Sequence, residues 1–196
     1  MPHENDAAQN FKDLFWFRLN LGLTALIILV QLLGGIYSGS QALIADTVHV
    51  FVHAITEIIV IFTLWSGSKK LDRVGSWLIV LLLLGLLLPW LIWEAWERYL
   101  HPQDIVAPLM LTASLIGLLV NGVQRLIVRG RGLSSKSVAR YKVCLDTDIY
   151  SSLGVLIGAG IIYFHPAWLI IDTVIAFLIA GLVIWKVTTM SKISKC

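Results

Sequence analysis

Four side chains in this sequence have the types and the spacing to hold a divalent metal ion. His49 and His53 are four residues apart, and so are Cys144 and Asp148. On a helix, residues four apart share a face about one turn, roughly 5.4 Å, from each other. Two such pairs facing one another offer two nitrogens, one thiolate and one carboxylate, the number of donors a tetrahedral zinc site takes. Neutral imidazoles with an ionised thiol and carboxyl carry two negative charges, which balance one divalent cation in a low-dielectric setting. Without metal the same groups take up protons, so proton and metal compete for them. That competition is the physical requirement for proton-coupled metal exchange. Asp46 lies one turn to the outer side of His49, and Glu57 extends the stripe one turn inward. Asp146, two residues from both Cys144 and Asp148, points to another face. Taken singly, a membrane histidine is as readily an interhelical hydrogen-bonding residue, and a cysteine a small apolar filler. The coincidence of two pairs is what favours a site.

The elements that must position these residues are membrane helices. Of 196 residues, 58% are hydrophobic and 14% charged, and the mean hydropathy is +0.83. Soluble domains run at about 45–50% apolar and about 25% charged. This balance argues against a water-soluble enzyme, a disordered chain or a nucleic-acid-binding module. Six apolar segments, at about 14–37, 42–66, 75–99, 107–128, 141–164 and 168–190, are each long enough to cross a bilayer. Helix is the default there because every backbone amide in lipid must be bonded internally. The ten-residue alternation of a membrane barrel is absent. The expected fold is therefore all-α, a six-helix polytopic bundle joined by short connections. Pro89 is expected to kink the third helix, and Gly34 and Gly35 to permit close helix contact.

Fourteen of the fifteen Lys and Arg residues fall at the two ends of the chain or in the connections after the second and fourth segments; Arg98 alone lies on the other side. The positive-inside rule then puts both termini in the cytoplasm. It also accounts for a formal charge of +3 without nucleic acid as a partner. Two cysteines, Cys144 and Cys196, are too few for a disulfide framework. The polar N-terminus lacks the pattern of a cleaved signal peptide. Glu94, Glu97 and Arg98 read as structural ion-pairing groups, and the Trp residues at 16, 65, 77, 168 and 185 as interfacial anchors.

Several stretches resemble the cation diffusion facilitator family, proton-coupled exporters of zinc and related divalent metals. SGSQALIADTVHVFVH (38–53) is similar to the family's second transmembrane segment, and WEAWERYLHP (93–102) to the end of the third. DIYSSLGVLIGAGI (148–161) and WLIIDTVIA (168–176) are similar to the fifth helix and the start of the sixth. In the family the transport site is H/D-x-x-x-D on helix two with H/D-x-x-x-D on helix five. His49 matches the first position and Asp148 the last. His53 stands where Asp is usual, and Cys144 where His or Asp is usual. The thiolate softens the donor set, favouring zinc, cadmium or a softer ion over manganese.

The resemblance implies alternating access. The residues themselves assign His49, His53, Cys144 and Asp148 as the expected metal ligands, Asp46 as an outer-side relay and Glu57 as an inner-side entry group. The metal, Zn²⁺ first, is the transported substrate and no cofactor is expected. Expected partners are divalent metal ions, protons, the lipid bilayer and a second copy of the chain through membrane helices. The expected location is a bacterial cytoplasmic membrane. Family members typically carry a cytoplasmic C-terminal domain; this sequence, ending soon after the sixth segment, is read as one transmembrane domain without it. Alternatives are export of Cd²⁺, Co²⁺, Ni²⁺, Fe²⁺ or copper, and a membrane metal receptor or partner subunit that binds without transporting. Nothing resembling HExxH or a nucleophile–base set supports a hydrolase, so an enzyme is not expected.

Overall fold

The computed structural model of the chain describes residues 3–66, 85–86, 88–129 and 136–195. Among these, six α-helices occur: α1 His3–Ser38, α2 Gln41–Ser66, α3 Leu88–Leu100, α4 Ala107–Arg129, α5 Lys136–Phe164 and α6 Ile170–Lys195. No strand occurs among the described residues. The fold is an all-α bundle, as the apolar segments predict. Three spans, Phe15–Ser38, Ala107–Arg129 and Leu145–Phe164, are long and apolar enough to cross a membrane. Helices α2 and α6 contribute shorter apolar stretches, Gln41–Ile55 and Ile170–Trp185. Most of the third expected segment, and the basic connector after α4, lie outside the described residues.

Pro89 is the second described residue of α3, and residues 85–86 before it are in π-type winding. The kink expected there depends on residues 67–84 and 87, which lie outside the described residues.

Helix α1 packs along α2 and α4, α5 along α4 and α6, α2 also against α5 and α6, and α3 against α6. The amphipathicity is that of a membrane bundle. On α4 the buried stripe reads Met110, Ala113, Ser114, Gly117, Asn121, Gln124, Val128, a spacing of three and four. Leu115, Ile116, Leu119, Val123 and Leu126 of the same helix face outward. On this helix small and polar residues, with Met110 and Val128, face the interior, and large aliphatic ones cover the outside. In water so much exposed apolar surface would drive association; in lipid it is solvated by acyl chains.

The α1–α2 turn is two residues long. Gly39 adopts φ of +73°, the left-handed region open to glycine at little steric cost. Gly34 brings α1 onto α4 and α2: a β-carbon added there would run into Ala113 Cβ and approach Leu43 Cδ2 to 3.2 Å. Gly34→Val is therefore expected to cost about 1–3 kcal/mol by overpacking. Gly22→Ala, which meets nothing within 4 Å, is expected to be neutral or slightly stabilising. Thermal unfolding of the two variants in one mild detergent checks both.

Candidate metal centre

Helices α2 and α5 meet in the bundle interior at Asp148. His49 Nε2 lies 2.9 Å from Asp148 Oδ1, and His53 Nδ1 lies 2.8 Å from Asp148 Oδ2. All three residues are buried, at 2%, 1% and 0% exposure, so no water competes for these contacts. The four-residue spacing stacks the imidazoles one turn apart, and a single carboxylate spans them with its two oxygens.

The sequence expectation that His49, His53 and Asp148 converge is matched by this geometry. Cys144 belongs to α5, one turn before Asp148, but its side chain lies outside the described residues. The three described side chains are closed onto one another. Among the described residues no group of three or more His, Cys, Asp or Glu is spaced to surround an ion. An ion entering this junction would have to replace N–H···O contacts with metal–nitrogen and metal–oxygen bonds.

One turn nearer the start of α2, Asp46 forms a second junction. Its Oδ1 accepts a 2.5 Å bond from Ser151 Oγ. Its Oδ2 accepts from Gln31 Nε2 at 2.6 Å and from Ser152 Oγ at 2.9 Å. Asn121 Nδ2 on α4 donates to Ser152 Oγ at 3.1 Å and toward the Asp148 carbonyl at 3.4 Å. This fully buried carboxylate therefore joins α1, α2 and α5, and α4 through Ser152. Glu57 is also fully buried, one turn beyond His53 on α2. Further along α1, Gln124 Nε2 of α4 donates to Thr24 Oγ1 at 2.9 Å and to the Asn20 carbonyl at 3.0 Å.

Asp146 has a separate role. Arg125 Nε lies 2.5 Å from Asp146 Oδ1 and Nη2 lies 3.4 Å from Oδ2, a half-exposed pair between α4 and α5. The expected ion pair on α3 is loose, with Arg98 Nε 3.9 Å from Glu94 Oε1. The stronger bond of Arg98 goes elsewhere, from Nη1 to the Gly39 carbonyl at 2.7 Å. Sequence reasoning passed over Gln31, Asn121, Ser151 and Ser152. Their signal was available as uncharged polar residues in apolar spans, with the serines three and four residues after Asp148.

With this geometry in view, the comparisons with known proteins become decisive. Residues 18–194 match the family described as the cation efflux transmembrane domain. The chain belongs to that family. It is 28% identical over 186 residues to the human proton-coupled zinc antiporter SLC30A8, covering 85% of this chain and 50% of that protein. It is 27% identical to the zinc transporter ZitB of Pectobacterium atrosepticum, covering 83% and 54%. It is 25% identical to the metal cation efflux system protein CzcD of Cupriavidus metallidurans, again covering 83% and 54%. The chain spans about half the length of these curated relatives. The resemblance drawn from its motifs is borne out, and it is a member of a transporter family rather than an enzyme.

Three substitutions separate the buried junction at Asp46 from the half-exposed Arg125–Asp146 pair by energy. Asp46→Leu leaves Gln31, Ser151 and Ser152 with fewer acceptors in the interior and is expected to cost about 2–4 kcal/mol. A double-mutant cycle on Arg125→Gln and Asp146→Asn is expected to give a coupling below about 1 kcal/mol, because that pair is half-solvated. Thermal unfolding in detergent measures both.

Proposed function

We propose that this chain exports a divalent metal cation, Zn²⁺ first, across a membrane in exchange for protons. The observation that carries the reading is Asp148 held between His49 and His53, across the two helices on which the family's transport-site motif falls. His49, His53, Asp148 and Cys144 are the proposed ligands. A nitrogen that holds a proton toward a carboxylate cannot also hold a metal, so ion and proton exclude each other at the same atoms. Loading the ion displaces or shifts those protons, and its release lets them return. Alternating access then requires α2 and α5 to part on one side of the junction at a time.

Asp46 is proposed as the outer-side relay, supported by its burial one turn outward of His49 and its contacts with α1 and α5. Glu57 is proposed as the inner-side approach group, supported by its burial on the same stripe. Both termini are assigned to the cytoplasm by the distribution of Lys and Arg. The bacterial relatives support a cytoplasmic membrane as the location. A homodimer through membrane helices completes the reading, with the exposed aromatic face of α3 (Trp93, Trp96) as one surface available for it.

The test is Zn²⁺ uptake into proteoliposomes with an acidic lumen, which supplies protons moving opposite to the metal. Wild-type uptake is expected to collapse when the pH gradient is dissipated. Asp148→Asn, His53→Ala and Cys144→Ala are each expected to lower it by about a hundredfold or more, since each removes a proposed ligand. Uptake that survives both His53→Ala and Cys144→Ala moves the site toward Asp46, His49 and Asp148. Binding without uptake, from folded protein, favours a receptor or partner subunit. A competition series with Cd²⁺, Co²⁺, Ni²⁺ and Fe²⁺ ranks the metals. Unchanged rates in Asp46→Asn and Glu57→Gln would remove those two roles.

A further inference from the structure

The outer end of α2, the helix that carries both histidines, is held by a side chain from the last helix. Ser40 caps α2 in the ordinary way, its hydroxyl accepting from the Leu43 amide at 3.1 Å. The two amides it leaves, those of Gln41 and Ala42, donate to the carboxylate of Asp172 on α6, at 2.6 and 3.2 Å. Ser40 Oγ donates to the same carboxylate at 2.6 Å. Asp172, Ser40, Gln41 and Ala42 are all at 2% exposure or less. A carboxylate thus completes the cap of a helix more than a hundred residues away in sequence, where the partial positive charge of the helix end favours it.

Two more contacts seize the same turn. Arg98 of α3 donates to the Gly39 carbonyl, and the Val106 amide donates to the Ser38 carbonyl at 2.8 Å. Arg98 and Asp172 line one cavity of about 50 Å³, together with Pro102, Ile105 and Leu169. The α1–α2 turn is therefore clamped from α3, from the α3–α4 connection and from α6. These are the strongest polar ties among the described residues between α2 and the α3/α6 side of the bundle.

We propose that Asp172 is a positioning residue that latches the outer end of α2, and that outward opening requires its carboxylate to let go of the Gln41 and Ala42 amides. Closed, the latch fixes the tilt of α2; His49 stands eight residues, about 12 Å, further along the helix. Parting α2 from α6 at the outer end cannot occur while three hydrogen bonds from one carboxylate span the gap. The adjoining cavity gives the released carboxylate a polar neighbour, Arg98, within its own surroundings. The inference rests on the transport reading above, because a latch has work to do only where the outer end opens.

The test pairs hydrogen–deuterium exchange with Zn²⁺ uptake, both on the full chain in lipid. In Asp172→Asn, exchange in a peptide spanning 40–46 is expected to rise about tenfold, the ratio that loss of about 1.4 kcal/mol at a helix cap implies. Exchange over 145–160 should stay unchanged, which shows that the fold is kept. Maximal uptake should fall about fivefold or more, while the half-saturating Zn²⁺ concentration moves less than about threefold, because no proposed ligand is touched. Asp172→Glu, which keeps a carboxylate, should regain part of both. If Asp172→Asn does not fold, Ser40→Ala, which removes one of the three bonds together with the Ser40 cap on the Leu43 amide, is read on uptake alone: a lowered maximum with little change in the half-saturating Zn²⁺ supports the latch, and an unchanged maximum overturns it. Unchanged exchange overturns the latch. Faster exchange with unchanged uptake leaves only a structural cap and also overturns it. Absence of uptake in the wild type, with faster exchange in the variant, sinks the transport reading instead and can be told apart from either.

Discussion

A carboxylate buried among helices must be met by donors, and at Asp148 the donors are two imidazoles from one neighbouring helix. That constraint organises the bundle. His49 and His53 fall on one face of α2 only because they are a turn apart, and Asp148 reaches both only because α5 lies against that face. An unpaired charge at this depth would cost several kcal/mol, on the order that isolated ionisable groups cost in a membrane helix. The junction therefore fixes both the register of α2 on α5 and the direction in which their polar faces point. The polar stripes of α1 and α4 follow, since they close the remaining sides around it.

The same interior sets how tightly the helices are held. Hydrogen bonds between membrane helices contribute only about 0.6 kcal/mol each on average, and up to about 1.7. The interior of this bundle is stitched by many such bonds beside a buried apolar cluster that includes Leu43, Met110, Ile162 and Ile179. Breaking a few of them at one end costs an amount that ligand binding or proton uptake can supply. Close steric contact, as at Gly34 on Ala113, is in contrast insensitive to protonation. The balance suits helices that must part at one end and stay in register at the other.

Much of this was legible in the sequence. Periodicity and burial agree on α1, α2 and α4, because lipid leaves a long apolar run few choices other than helix. The His49–His53 pair and Asp148 were recognisable because ionisable residues in apolar spans stand out against their surroundings. Gln31, Ser151 and Ser152 were not, since a single amide or hydroxyl in a membrane helix is common and only the fold shows which ones share a carboxylate. Asp172 was hidden for a different reason. Its position near the start of α6 suggests a local cap, whereas its carboxylate serves the helix start at Gln41, a pairing that no local rule reaches.

The donor set also bears on how such a junction behaves between ions. In the family's usual pattern both helices bring carboxylates, so a metal-free site sets like charges against one another. Two unit charges about 4 Å apart at an effective dielectric of about 20 repel by about 4 kcal/mol. Here α2 brings only imidazoles, and in the proposed reading both negative charges belong to α5. Carboxylate and imidazole attract, as the two short contacts to Asp148 show. In the proposed reading an ion has to displace these close contacts on loading, so the attraction between α2 and α5 opposes its entry.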